Sequence, residues 1–137
     1  MTAQDRGVPV PEDLVTEIGK DELAERLDDP TLTILDVRSA GEYSGEAGAP
    51  CDRRQGHIPG ARHIDVQELM QLRRDEILER LGPSDAEIAA YCHSGSRSAV
   101  AVQVLRAAGY AARNYTGSWH EWSRDGSLPA EAGTPRR

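Results

Sequence analysis

The sequence predicts an α/β domain built on a parallel sheet, and three observations carry that prediction. Short apolar runs alternate along the chain with helix-period patterns. The segment Thr31 to Val37 (TLTILDV) is a near-continuous, β-branched apolar run, the composition of a strand buried on both faces. The length of 137 residues, 38% of them hydrophobic, suits one compact domain with its own core.

Each element follows from a local signal. Met1 to Asp13 carries charges and prolines without apolar periodicity, so a disordered N-terminal tail is expected there and the domain is expected over 14–126. Val15 to Ile18 is a short candidate strand. Lys20 to Leu27 follows as a helix, with Leu23 and Leu27 one turn apart on one face. After the Thr31 to Val37 strand, Ser39 is placed to cap a short helix through Tyr43. Gly45 to Ala61 holds four glycines and two prolines, and seventeen residues without periodicity point to a functional loop or an insertion.

Arg62 to Asp65 reads as a short strand. Val66 to Leu72 and Asp75 to Leu81 read as two helices, stopped by Gly82-Pro83. Glu87 to Tyr91 (EIAAY) is a strand that runs straight into Cys92. Ser96 to Ala108, rich in Ala, Val, Leu and Arg and ended by Gly109, is the strongest helix signal. Tyr110 to Tyr115 is a last strand and Ser118 to Arg124 a last helix. Residues 127–137 are mostly Pro, Gly, Ala and Glu before two arginines, and a disordered C-terminal tail is expected.

The net charge of −7 argues against nucleic acid or an anionic membrane as partner, because both select basic surfaces. Two segments are nevertheless locally basic. Arg53 to His63 holds three arginines and two histidines, and Cys92 to Arg113 holds three arginines and no acid. A small anion is the partner such segments can hold if they meet. No stretch approaches the ~20 apolar residues of a membrane span, and the N-terminus lacks a secretory pattern, so the expected location is the cytoplasm. The two cysteines, Cys51 and Cys92, make no disulfide framework and are expected as free thiols.

The segment YCHSGSRSAVAVQVL carries the chemistry. A strand ends at Tyr91, a tight turn follows, and a helix leaves near Arg97. Parallel sheets present ligand sites at the carboxyl ends of their strands, and a helix N-terminus offers unpaired N–H groups with partial positive charge. Gly95 lets the backbone curl around one point, with the Cys92 thiol at the floor of the resulting nest. Such a nest favours a thiolate and equally suits a persulfide, whose outer sulfur is anionic. The expectation is that Cys92 takes a sulfur from an anionic donor and passes it to a nucleophilic acceptor, with Arg97 steering the donor.

Cys92, Gly95, Arg97 and Ser98, in the pattern Cys-x-x-Gly-x-Arg-Ser after a strand, resemble the active loop of rhodanese domains. Asp36-Val37-Arg38 followed by Glu42-Tyr43 is similar to the family's first signature, and Gly56-His57-Ile58-Pro59-Gly60-Ala61 to its second. Gly117-Ser118-Trp119 with Trp122 resembles the end of catalytic domains of thiosulfate and mercaptopyruvate sulfurtransferases. The resemblance covers most of Leu14 to Arg124. It implies a three-layer fold with a central five-stranded parallel sheet flanked by helices, and sulfur transfer from thiosulfate or a similar donor to cyanide or a thiol. A sulfur-relay module exchanging persulfide with protein partners is the second reading. Enzymes of the family are often tandem, whereas this sequence has room for one domain, and the loop after Tyr43 is longer than in minimal single-domain members.

The related phosphatases and arsenate reductases use Cys-x5-Arg; here Arg97 follows Cys92 with four residues between, a loop sized for one sulfur atom rather than phosphate. No aspartic acid neighbours it as a leaving-group acid. The remaining residues have competing uses. His93 could hold a proton or bond a substrate oxygen, or be solvated. Ser94, Ser96 and Ser98 could bond the sulfur or donor oxygens, or cap the helix. Trp119 could wall the pocket, or pack with Trp122 in the core. Asp36 and Arg38 could line the pocket but are read as an ion-paired corner with Glu42, and His57 could be taken for a base but is read as part of the turn with Pro59-Gly60 that is architectural in the family this sequence resembles. Cys51 is read as incidental rather than a resolving thiol. The histidines and cysteines show no metal-ligand spacing, so neither metal nor cofactor is expected.

Overall fold

The computed structural model describes residues 16–133. In chain order its elements are α1 (Lys20–Glu25), β1 (Leu32–Asp36), α2 (Ala40–Ser44), β2 (Arg62–His63), α3 (Val66–Gln71), α4 (Arg74–Leu81), β3 (Glu87–Tyr91), α5 (Ser96–Ala107), β4 (Ala111–Asn114) and α6 (Ser118–Arg124). The strands pair in parallel in the order β2-β1-β3-β4. No helix among the described residues is long and apolar enough to cross a membrane.

The two-residue period of a strand sorts side chains to opposite faces, and both faces are covered. Ile88, Ala90 and Cys92 join Leu35, Val37 and residues of α3, α4 and α5 in one cluster. Ala89 and Tyr91 join Ile34, Leu23, Tyr43, Trp119 and Trp122 in the other. The result is three layers, with α1, α2 and α6 opposite α3, α4 and α5. Ser39 makes a capping box at α2, accepting from Glu42 N while Glu42 accepts from Ser39 N.

Two expectations are corrected. Among the described residues the sheet has four strands, not five, because 16–18 of the segment read as the first strand contributes a single bridge, Glu17 to Asn114. Among the described residues it shares two backbone hydrogen bonds with β4, both at Asn114, and the Arg113 side chain donates to the Glu17 carbonyl before the chain turns into α1. The tail expected from Ser127 is docked over 127–133. Leu128 and Ala130 pack against the α6-side core, and His57 and Glu131 exchange backbone hydrogen bonds of 2.7 and 2.9 Å. Arg54 gathers the carbonyls of Trp122, Ser123, Asp125 and Leu128, an anchor 68 to 74 residues away in sequence. The expected tail at 1–13 lies outside the described residues.

Candidate active site

In the order β2-β1-β3-β4 the chain leaves β1 toward one edge and β3 toward the other, so the direction of winding reverses between them. The crevice beyond their carboxyl ends is the switch point of an open parallel sheet. Asp36 and Tyr91 pair in register there, and Arg38 and Cys92 lie just past the ends.

The loop after β3 turns its amides onto one atom. Gly95 N lies 3.1 Å from Cys92 Sγ. Ser98 N and Ser98 Oγ each lie 3.4 Å away, and the Ser94 amide adds to the pull that lowers the Cys92 pKa. The turn requires Gly95: its φ is +100°, and a Cβ there would stand 2.8 Å from the Thr116 carbonyl oxygen. Gly95 is also the N-cap of α5, so the helix takes no serine cap; Ser94 and Ser96 are exposed, and Ser98 is buried beneath the sulfur.

The outside of the loop is fixed by α6. Cys92 N donates to Ser118 Oγ at 3.1 Å, and Ser118 Oγ donates to the Tyr115 carbonyl at 2.8 Å. Trp119 N and His120 N donate to the carbonyls of Cys92 and His93 at 2.9 and 3.0 Å. The first turn of α6 thereby spends its free amides on the loop. Ser118 adopts φ +57° to make this join. Asn114 Nδ2 holds the Gly95 carbonyl from β4 at 3.2 Å.

Burial pushes the Cys92 thiol up, but the Ser98 hydroxyl and the amides of Ser98, Gly95 and Ser94 outweigh it, and the net shift is downward. Only 1% of Cys92 is exposed. The arrangement stabilises negative charge on one nearly covered sulfur.

The charged residues are partnered differently from the sequence expectation. Arg38 does not bond Glu42. It bonds Asp36, at 2.7 Å from Nη2, with both residues at 1% exposure or less, and it donates to the Gly56 carbonyl. Its guanidinium lies 5.6 Å from the Tyr91 ring and 5.2 Å from the Trp119 ring. Glu42 instead takes a two-pronged pair from Arg97, at 2.9 and 3.1 Å. Burial raises the Glu42 pKa, and Arg97 and Ser39 overcome it, leaving it at about 2. Arg97, with 38% of its side chain exposed, faces solvent beside that carboxylate.

Trp119 differs from a pocket wall. Its side chain is fully buried with the α6-side cluster, away from the cluster containing Cys92, and its indole N–H donates to the Arg54 carbonyl at 3.0 Å. His57 stacks on Tyr43 at 3.7 Å between centroids, and its Nδ1 lies 2.7 Å from the Tyr43 carbonyl. His93 is half-buried and paired: its Nε2 lies 3.0 Å from Asp52 Oδ1, which also faces His120 Nδ1 at 3.2 Å.

Sequence reasoning missed Asp52, Asn114, Ser118 and His120. Ser118 stands in the Gly-Ser-Trp signature, a signal that could have led to it. Asp52 and His120 carry no local signal, since the fold brings His93 and His120 to Asp52 across 41 and 68 residues respectively.

The fold and the cradle define a class, an open parallel α/β domain with a cysteine nested in a strand-to-helix turn. The chain belongs to the rhodanese-like domain family, which matches residues 19–125. It is 35% identical over 122 residues to the thiosulfate sulfurtransferase of Azotobacter vinelandii, covering 82% of this chain and 44% of that protein. It is also 35% identical over 125 residues to a probable 3-mercaptopyruvate sulfurtransferase of Pseudomonas aeruginosa, covering 81% of this chain and 43% of that one. A crystal structure of a probable thiosulfate sulfurtransferase superposes with a TM-score of 0.72 at 42% identity, over 90% of this chain and 50% of that chain. The chain thus spans about half or less of the length of these proteins.

Proposed function

We propose that the chain is a sulfurtransferase in which Cys92 carries sulfane sulfur as a persulfide, drawn from thiosulfate or a similar anionic donor. The observation that carries the reading is the convergence of Gly95 N, Ser98 N and Ser98 Oγ on Cys92 Sγ at 3.1–3.4 Å. In the first half-reaction the thiolate attacks the outer sulfur of the donor. The donor's S–S bond breaks, and for thiosulfate the sulfite leaves with the bonding pair. The persulfide's terminal sulfur then carries the charge that the cradle stabilises. In the second half-reaction cyanide or a thiolate attacks that sulfur, and Cys92 departs as thiolate. The two half-reactions give ping-pong kinetics.

The geometry suggests separate roles around this centre. Ser94, Gly95 and Ser98 bond the sulfur. Arg97, the half-buried His93 and the exposed Ser94 and Ser96 side chains meet the incoming donor, with Glu42 orienting Arg97. Asp36, Arg38, His57 and Trp119 hold the frame. An exposure of 1% at Cys92 favours small-molecule donors over a partner protein's persulfide. Cys51 and Cys92 are both free thiols, which suits a reducing compartment such as the cytoplasm.

The test is intact-mass measurement after treatment with thiosulfate, followed by cyanide. Wild-type protein gains one sulfur atom and loses it to the acceptor, and Cys92→Ala does neither. Full activity of the alanine variant in thiocyanate formation would overturn the reading.

A further inference from the structure

The loop after α2, the Cys92 loop and α6 meet in a second cluster. Cys51 Sγ, an Asp52 carboxylate oxygen and one ring nitrogen each of His93 and His120 all lie within 4.8 Å of one another. Asp52 is the centre of it. Its side chain is 1% exposed, and its ion-pair partners among the described residues are the two imidazoles alone. A buried carboxylate without a permanent cation is costly.

We propose that Cys51, Asp52, His93 and His120 form a binding site for a Zn2+-class divalent cation. The donor set decides the class. Thiolate and imidazole nitrogen exclude Mg2+ and Ca2+, which take oxygen ligands, and suit zinc. Four such donors complete a tetrahedron, and the charges close: Zn2+ is balanced by the Asp52 carboxylate and a Cys51 thiolate whose proton is released on binding.

The required movement is small. Zinc bonds of about 2.0–2.3 Å place ligand atoms roughly 3.3–3.8 Å apart in a tetrahedron. His93 Nε2 and His120 Nδ1 now stand 3.0 and 3.2 Å from Asp52 Oδ1, so these pairs open by a few tenths of an ångström. The widest pair, at up to 4.8 Å, closes by about 1 Å. Cys51 and its loop supply that motion from an exposed position. The two histidines already face the carboxylate through the nitrogens that bind, which fixes their orientation.

The ion ties three segments that the sequence keeps far apart. His93 follows Cys92 directly, so the bound dication stiffens the loop that shapes the sulfur cradle. It also adds positive charge on the side from which an anionic donor approaches.

Cys92 is itself a thiol that can capture zinc, so the test uses full-length Cys92→Ala protein. Calorimetric titration with Zn2+ against a competing chelator is expected to give one ion per chain. Cys51→Ser and His120→Ala, each added to that background, are expected to weaken binding by at least about tenfold. Co2+ gives an independent readout: a thiolate-to-cobalt absorption band is expected in the Cys92→Ala protein and is expected to vanish on Cys51→Ser. Circular dichroism checks the fold, and Cys92→Ser replaces the alanine background if that one unfolds. Absence of binding in Cys92→Ala protein overturns the site, since it leaves Cys92 as the zinc ligand or none. Binding that survives both Cys51→Ser and His120→Ala unchanged overturns it equally. Sulfur loading of Cys92 does not depend on either result.

Discussion

Cys92 shows how a few donors reverse the effect of burial on one atom. An apolar enclosure alone would keep the thiol protonated, and the Ser98 hydroxyl with three amides turns the balance toward thiolate. Because the net shift is downward, thiolate is present at pH values below those of an ordinary thiol. Ser98→Ala removes one donor and is expected to move the acid limb of the kcat/KM profile to higher pH, with about a tenfold loss near neutrality. The same shift is expected in the pH dependence of alkylation, a readout independent of turnover. Gly95→Ala acts on the cradle itself. Its Cβ meets the Thr116 carbonyl at 2.8 Å in a backbone of φ +100°, and a cost of about 1–3 kcal/mol is expected with loss of persulfide formation. Denaturant unfolding and intact mass measure the two effects.

At the scale of elements, two ion pairs join the parts of the site. Asp36–Arg38 closes the corner after β1 beneath Trp119 and Tyr91. Arg38→Ala leaves Asp36 buried and uncompensated, and a destabilisation of about 3–5 kcal/mol is expected in urea unfolding. Glu42–Arg97 joins α2 to α5 and is partly exposed. Glu42 has its pKa lowered from 4.5 to about 2. A lowered carboxylate pKa contributes stability that is fully present above about pH 4.5 and lost as pH falls toward 2. Glu42→Gln is therefore expected to flatten the acid side of the stability profile in that window, as read by urea midpoints. If Arg97 also meets the donor, the same variant raises KM more than it lowers kcat.

At the scale of the molecule, residues 125–133 after α6 belong to the domain. Trp122 Nε1 donates to the Pro129 carbonyl at 2.8 Å, Arg54 gathers carbonyls from Trp122 to Leu128, and Leu128 packs on the core. A Cβ at Gly56 would stand 2.0 Å from the Glu131 carbonyl, so the docked segment needs glycine there. Deleting 127–137 is expected to cost on the order of 3 kcal/mol from lost burial and hydrogen bonds. Calorimetry would read this as a fall in Tm of roughly 10 °C.

Periodicity and turn chemistry alone determined the order of strands and helices, the Ser39 cap, the end of β3 at Tyr91 and the cysteine turn with its glycine. Those features depend on neighbours within a few residues, and local sterics and hydrogen bonding read them directly. Tertiary structure alone decided that Glu42 pairs with Arg97 rather than Arg38 and that Trp119 lies under the frame. It also decided that the first segment adds a bridge rather than a strand, and that Asp52, His93 and His120 meet. These outcomes turn on strand register and on which loops land side by side, quantities set by packing the whole chain around the sheet and carried by no local stretch of it.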